Sequence, residues 1–132
     1  MRLLAVDVGE KRIGLAITDP TNTIATEHSV VSPDQFKDKL QELVKTEGVD
    51  TIVVGRPRNL NGDLGPQAKR IEDFISKEVV GINIEIIWED ESLTSKMAEE
   101  ELKQKGFSNQ DLKEKVDMVA ARIILESYLR RI

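Results

Sequence analysis

The chain has 132 residues, with 19 Lys and Arg against 24 Asp and Glu, and therefore a formal net charge of −5. This length predicts a single domain, because domains cluster at roughly 100–150 residues. The absence of cysteine excludes a disulfide framework and a thiol nucleophile, and the one histidine, His28, argues against a serine triad or a His-rich metal site. No apolar run approaches the ~18 residues of a membrane helix, and the first residues run into a strand pattern and not a signal peptide. We therefore expect a cytoplasmic protein with no membrane partner.

The first half of the chain predicts three strands and a helix. Residues 3–8 are nearly all apolar, which is typical of a central strand covered on both faces. Alternating residues predict a second strand over 13–17, and turn residues at 19–22 lead to a third strand near 23–31. Ser32, followed by Pro33, predicts the start of a helix that ends at Gly48.

The second half alternates strands and helices. The predicted elements are a strand at 52–54, a polar loop at 56–65, a helix at about 66–77, a strand at 82–88, a helix running to about Lys105 before Gly106, and a last helix at about 110–129. This order predicts an α/β fold with a mixed five-stranded sheet, in which a hairpin meander is followed by parallel strands and helices cover the faces.

Asp7 interrupts the first apolar strand, on the same face as Leu3 and Ala5. A buried carboxylate without a partner is costly. The residue therefore predicts either a structural ion pair with Lys11 or Arg12, or a functional site at the strand end.

The last predicted helix contains a second misplaced acid. At ~100° per residue, Asp117 falls inside a broad apolar arc, beside Ile124 and Tyr128. Ala121, one turn further on, leaves room for another group to approach. The alternatives are an inward-facing site and a local ion pair with Lys113.

Asp90 and Glu91 follow the strand that is predicted to end at Trp88. Alone, these acids would merely favour the N-terminus of the next helix. Together with Asp7 and Asp117 they could converge, and converging carboxylates need divalent cations to coexist. Oxygen ligands suit Mg²⁺ or Mn²⁺.

Other polar residues carry weaker signals. His28 is interpreted as structural, and the run 99–101 of three glutamates as a solvated helix face. The basic residues of the loops and helix starts could together bind phosphates, although each alone is an ordinary surface charge. They are Lys11, Arg12, Arg56, Arg58, Lys69 and Arg70.

Four segments form motifs that follow one another along the whole chain. The first is Asp7-Val8-Gly9-Glu10-Lys11-Arg12-Ile13-Gly14-Leu15-Ala16, similar to D-x-G-x-K-R-I-G-x-A. The second is Gly55-Arg56-Pro57 with the later Asn61-Gly62, the third is Asp90-Glu91-Ser92-Leu93-Thr94-Ser95, and the fourth is Lys115-Val116-Asp117 with Ala120-Ala121. In this order they resemble the YqgF-type proteins, which are described as Holliday junction resolvases and as nucleases that mature the 5′ end of pre-16S rRNA.

The resemblance implies a ribonuclease-H-like fold and hydrolysis of phosphodiester bonds with two divalent cations, Mg²⁺ or Mn²⁺. It implies that Asp7, Glu91 and Asp117 are catalytic and hold the metals, with Asp90 as an accessory or alternate ligand. The implied substrate is RNA (pre-16S rRNA) or branched DNA, bound by Lys11, Arg12, Arg56, Arg58, Asn61 and Lys96.

The chain departs from the family pattern at two places. Ser92 replaces the usual Arg, a loss that Lys96 would offset only as a point charge, and Glu10 is an extra acid. After Val54 the chain lacks the acid that resolvases carry there, which favours RNA processing over junction resolution.

Two other functions remain open at this point. A non-catalytic nucleic-acid-binding module would gain nothing from three buried, repelling acids, so their presence argues against it. Phosphate binding of the sugar-kinase and actin type is suggested by Asp7-x-Gly9. That class needs two domains and a Ser or Thr where Lys11 and Arg12 stand.

Overall fold

A computed structural model of the chain describes residues 2–57, 64–90, 94–106 and 109–132. The elements in chain order are β1 (Arg2–Val8), β2 (Ile13–Thr18), β3 (Ala25–Val31), a 3₁₀ turn (Pro33–Gln35), α1 (Phe36–Glu47), β4 (Val49–Arg56), α2 (Pro66–Glu78), β5 (Glu85–Asp90), α3 (Thr94–Gln104) and α4 (Asn109–Arg131). Their order is the order predicted from the sequence.

The five strands form one mixed sheet in the order β3-β2-β1-β4-β5. The first three are an antiparallel meander. β4 then pairs with β1 in parallel, and β5 pairs with β4 in parallel. The predicted α/β architecture is therefore confirmed, and β1 lies at the centre of the sheet because it is apolar on both faces.

The two faces of the sheet bury different kinds of side chain. One face carries large residues of the strands, such as Leu4 and Val6, which pack with Phe36 of α1 and Ile75 of α2. The other face carries small residues, including Ala5 and Ala16, beneath α4. Small side chains allow a helix to approach closely, so α4 lies near the strand backbones.

The helix α3 packs against α4. Ala98 and Leu102 of α3 form a small apolar cluster with α4 residues that include Val119 and Ala120. Within the described ranges, no helix combines the length and the hydropathy needed to cross a bilayer.

The predicted strand at 82–88 is displaced. Gly81 adopts a φ of 83° in a turn after α2, and Ile82 and Ile84 pack against the core without joining the sheet. Pairing with β4 begins at Glu85 and continues to Asp90, the partner of Arg56. The apolar pattern was correct about burial and wrong about which residues pair.

Other boundaries also differ, and β4 spans Val49–Arg56 where a strand was predicted only at 52–54. β3 begins at Ala25 because Asp19 accepts hydrogen bonds from the main-chain N–H groups of Thr23 and Ile24, which extends the preceding turn. Pro33 begins a 3₁₀ turn, so α1 itself starts at Phe36. The helix ends as predicted at Gly48, which has a left-handed φ of 70°.

Candidate functional site

The side chain of Asp7 points to the α4 face of the sheet. Its neighbours Val6 and Val8 belong to the core under α1 and α2, whereas Ala5 lies under α4. Successive side chains of a strand point to opposite faces, so Asp7 shares the face of Ala5, as predicted.

Gly14 brings Asp117 to the same place. It is the cross-strand partner of Asp7, and a Cβ on Gly14 would lie 1.9 Å from the main-chain oxygen of Asp117 and 2.9 Å from its Cβ. Directly opposite residues of an antiparallel pair have Cβ atoms about 5 Å apart, so the Cβ atoms of Asp7 and Asp117 lie within about 8 Å of each other. Their carboxylates can reach one common ion.

A second glycine lies on the other side of Asp7. Gly55 follows Val54, just as Asp7 follows Val6, and the two valines are partners in the β1–β4 register. A Cβ on Gly55 would lie 2.4 Å from Cδ1 of Ile124. The two glycines that flank Asp7 therefore allow α4 to lie directly on the sheet.

Asp117 is paired with Arg12, which the sequence did not predict. The Nε of Arg12 donates to Oδ2 of Asp117 at 2.8 Å, and the side chains are 47% and 16% exposed. The β1–β2 turn positions Arg12, because its carbonyl accepts a 2.9 Å hydrogen bond from the N–H of Gly9. The proposed local partner, Lys113, has no described side chain, so that alternative is not tested.

The turn and Asp117 line an open pocket of about 290 Å³. Lys11 is exposed in this turn, and Arg70 of α2 approaches the exposed Glu10 at 4.0 Å. Basic side chains therefore border the pocket that Asp117 lines, where a bound phosphate would need them.

Arg56 and Asp90 form an ion pair. Arg56 lies between Asp90, at 3.2 Å, and Glu72 of α2, at 2.9 Å. Its guanidinium also lies over the ring of Trp88, 5.4 Å from the centroid. Because Gly55 and Glu89 are partners that face α4, the next pair, Arg56 and Asp90, belongs to the opposite face.

Several predicted site residues lie outside the described part of the chain. Glu91, Arg58 and Asn61 are among the residues that the structure does not describe, and for Lys96 of α3 only the backbone is described. Lys69 of the basic rim is exposed and lines a separate pocket of about 500 Å³ at the start of α2.

The donor chemistry of the two described acids fits a divalent cation. Asp7 and Asp117 offer carboxylate oxygens, which Mg²⁺ and Mn²⁺ prefer. Among the described residues, no three acidic or histidine side chains gather into a complete metal site. The third ligand that the family resemblance implies, Glu91, is not among them.

Sequence reasoning missed Glu89, which is only 5% exposed. It accepts hydrogen bonds from Ser127 and Arg131 at the end of α4. The signal was the alternation with Ile87, which packs beneath α4. It was overlooked because the strand was predicted to end two residues too early, at Trp88.

Two weaker sequence interpretations have different outcomes. His28 is half-buried on β3 with its Nδ1 2.8 Å from the hydroxyl of Ser29. Burial lowers the pKa of His28 below its ordinary value, which agrees with a structural role. The prediction that residues 99–101 form a solvated helix face is wrong for Glu101, because this side chain pairs with Arg122 of α4. Glu100 is exposed as expected, and the side chain of Glu99 is not described.

A family model described as "RuvX: Holliday junction resolvase" matches residues 1–131. A protein of Syntrophomonas wolfei named "Putative pre-16S rRNA nuclease" is 39% identical over 132 residues, which cover 98% of this chain and 94% of that protein. A protein of the same name from Sulfurihydrogenibium is 37% identical, with 99% of this chain and 91% of that protein covered.

Two solved structures share the fold over nearly the whole chain. Thermus thermophilus RuvC in complex with a Holliday junction substrate aligns with a TM-score of 0.57 at 14% identity, over 99% of this chain and 96% of that chain. The fowlpox virus Holliday junction resolvase aligns with a TM-score of 0.54 at 19% identity, over the full length of both chains. The ribonuclease-H-like fold implied by the sequence motifs is confirmed.

Proposed function

The chain belongs to the RuvX family, and we propose that it is a nuclease that uses Mg²⁺ or Mn²⁺ to hydrolyse phosphodiester bonds at the 5′ end of pre-16S rRNA. The observation that carries the proposal is the convergence of Asp7 and Asp117 over Gly14. Two carboxylates from distant parts of the chain are brought together at one end of a strand, near the exposed basic side chains of the β1–β2 turn. The names of the relatives support the choice of substrate.

In this proposal Asp7, Glu91 and Asp117 hold the cations. Two bound cations would supply an activated water and stabilise the leaving oxygen, as in other two-metal sites. Asp90 is an accessory group in this proposal: its ion pair with Arg56 joins the ends of β4 and β5. The closeness of α4 to the sheet keeps Asp117 fixed relative to Asp7, so the ligands are positioned before any substrate arrives.

The basic side chains of the β1–β2 turn bind the substrate phosphates. Lys11 and the half-exposed Arg12 border the same pocket as Asp117, and a guanidinium can donate two parallel hydrogen bonds to a phosphate. We assign the same role to Arg58, Asn61 and Lys96. Arg56 binds two carboxylates. We therefore assign to it a structural role, in which it joins the end of β4 to the end of β5 and to α2. The net charge of −5 does not oppose this local basic surface.

Resolution of Holliday junctions is the second candidate, because the family model carries that description. At the end of β4, however, the chain has Gly55 and Arg56, and Gly55 is required for the approach of Ile124. An acid at this position would displace α4, so we place RNA processing first. We accordingly propose that the protein acts in the cytoplasm.

Cleavage assays separate these alternatives. A pre-16S rRNA leader and a four-way DNA junction are each incubated with the protein in Mg²⁺, Mn²⁺ or EDTA. We expect cation-dependent cleavage of the RNA and little cleavage of the junction. Cleavage of the junction alone would favour the second candidate. Binding of either substrate without cleavage under any condition would indicate a binding module.

A further inference from the structure

Glu89 is the most deeply buried charged residue in the described part of the chain, with 5% of its surface exposed. The chemistry proposed above does not use it. A carboxylate in such a place must be paired and hydrogen-bonded to be tolerated, so its partners indicate what it does.

Among the described residues, the partners of Glu89 are two side chains in the last two turns of α4. Ser127 donates its hydroxyl to Oε2 at 2.9 Å, and Arg131 donates to Oε1 from Nε at 3.1 Å and from Nη2 at 2.5 Å. Arg131 also lies over the ring of Tyr128, 5.3 Å from its centroid. We call Glu89, Ser127 and Arg131 the α4–β5 clamp.

The clamp shares a helix with Asp117. Asp117 and Arg131 are 14 positions apart in the chain, which is about 21 Å along a continuous helix. At one end of this part of α4, Asp117 lies over Gly14, the partner of Asp7. At the other end, Arg131 is hydrogen-bonded to Glu89. A single rigid element therefore connects a proposed metal ligand with the end of β5.

β5 is an edge strand, hydrogen-bonded on one side only, to β4. Glu89 lies in the same row and on the same face of the sheet as Asp7, two strands away, at about 10 Å. The chain leaves β5 at Asp90 and continues to Glu91. The clamp thus acts on a strand residue two positions before a proposed ligand, in a strand that is paired on one side only.

We propose that the α4–β5 clamp positions the end of β5 relative to Asp117, so that the affinity of the site for divalent cations depends on Arg131, a residue that holds no cation. The inference rests on the proposed function, because it takes Glu91 and Asp117 as ligands of the same cations. Arg131 is a positioning residue in this scheme. A clamp that only stabilised the packing of α4 would change the melting temperature and leave the affinity for cations unchanged.

Electrostatics alone predicts the opposite change in cation affinity when Arg131 is replaced by a neutral residue. Removal of a positive charge from the neighbourhood of carboxylates strengthens cation binding. Loss of positioning weakens it. A decrease in affinity for Mn²⁺ on removal of Arg131 can therefore not be explained by charge.

The test compares Arg131→Met with Arg130→Met, which removes the same charge from the adjacent, exposed residue of the same helix. Ser127→Ala removes one hydrogen bond without a change in charge, and it serves if Arg131→Met fails to fold. Binding of Mn²⁺ alone is measured by titration calorimetry, at a temperature at which circular dichroism shows each protein to be folded. Melting temperatures in EDTA are measured in parallel.

We expect Arg131→Met to weaken Mn²⁺ binding roughly tenfold, as is common for groups that orient metal ligands. Ser127→Ala should weaken it less, Arg131→Lys should restore part of the loss, and Arg130→Met should match the wild type. Equal affinities for Arg131→Met and Arg130→Met, with a lower melting temperature for the former, would overturn the inference and leave the proposed function intact. Absence of Mn²⁺ binding by the wild type would overturn both.

Discussion

Gly14 and Asp117 are in contact through their main chains, so closely that a methyl group on Gly14 would lie 1.9 Å from the carbonyl oxygen of Asp117. This contact places an acid of α4 beside Asp7, the cross-strand partner of Gly14. The geometry of the candidate site therefore depends on a residue that has no side chain.

Gly14→Ala should displace α4. The obstructing atoms belong to the helix backbone and cannot rotate away, so the variant should lose about 3 kcal/mol or more, the upper part of the range for overpacked sites. Gly48→Ala is the control, because nothing lies near its Cβ and it carries only the strain of a φ of 70°, about 1 kcal/mol. Urea denaturation of both variants measures the difference. Equal losses would contradict the close approach of α4 to the sheet.

Asp7→Asn and Asp117→Asn should each reduce RNA cleavage by at least roughly a hundredfold, as expected when a group that stabilises the transition state is removed. Glu91→Gln should do the same if it is the third ligand. Mn²⁺ should raise the melting temperature of the wild type more than that of the variants, since only the folded state binds the ion. Asp34→Asn, at an exposed position before α1, is the control for charge. Undiminished cleavage by Asp117→Asn would remove α4 from the mechanism.

Arg12→Gln should bind Mn²⁺ more tightly and RNA less tightly. Arg12 and a cation use the same carboxylate of Asp117, and removal of a half-exposed ion pair corresponds to a gain in affinity of roughly two- to fivefold. Lys11→Gln removes an equal charge from the same turn. It should weaken RNA binding without the same gain for Mn²⁺. If titrations give the same Mn²⁺ affinity for both variants, the Arg12–Asp117 contact does not compete with the ion.

Arg56→Gln should affect stability more than RNA binding. The substitution breaks contacts with two partly exposed acids, Glu72 and Asp90, and should cost about 1–2 kcal/mol, between the values for surface and buried pairs. The salt dependence of RNA binding should be unchanged. For comparison, Lys11→Gln should reduce its slope by about one. A slope reduced equally by Arg56→Gln would show that this arginine leaves its acids to bind phosphate.

Asp19 should make the fold sensitive to acid. Hydrogen bonds from the N–H of Ile24, from the hydroxyl of Thr21 and from the N–H of Thr23 hold the pKa of Asp19 well below its ordinary value. A depressed folded pKa means that this stabilisation is present above the unfolded pKa, about 4, and is lost as the pH falls towards the folded pKa. Asp19→Asn should therefore melt at a lower temperature than the wild type at pH 7. The gap should narrow below about pH 4. Asp73→Asn, exposed on α2, should show no such convergence.

The sequence predicted the elements of the fold because each carries its own local signal. The apolar run of β1 and Gly48 at the end of α1 are examples. The faces of Asp7 and Asp117 were also predictable, since strand alternation and helical periodicity are local properties. The family motifs added the ribonuclease-H-like topology and the third acid, Glu91.

The pairings between side chains were not predictable, because they depend on register and on the docking of α4. The partner of Asp117 was sought one turn away, at Lys113, whereas the structure supplies Arg12 from the far end of the sequence. A shift of two residues at the end of β5 concealed both the burial of Glu89 and the contact of Asp90 with Arg56. Local patterns do not contain that information.

Arg12 and Asp117 are 105 positions apart in the chain, and this separation determines when the site comes into being. Contacts between distant residues form late in folding, because the intervening chain must first be ordered. The meander of β1, β2 and β3 is local and can form early, whereas α4 can dock only on a finished sheet. Until it docks, Asp7 has no Asp117 beside it, and a nascent or partly unfolded chain cannot cleave nucleic acid. The proposed nuclease activity is therefore confined to molecules that have completed folding.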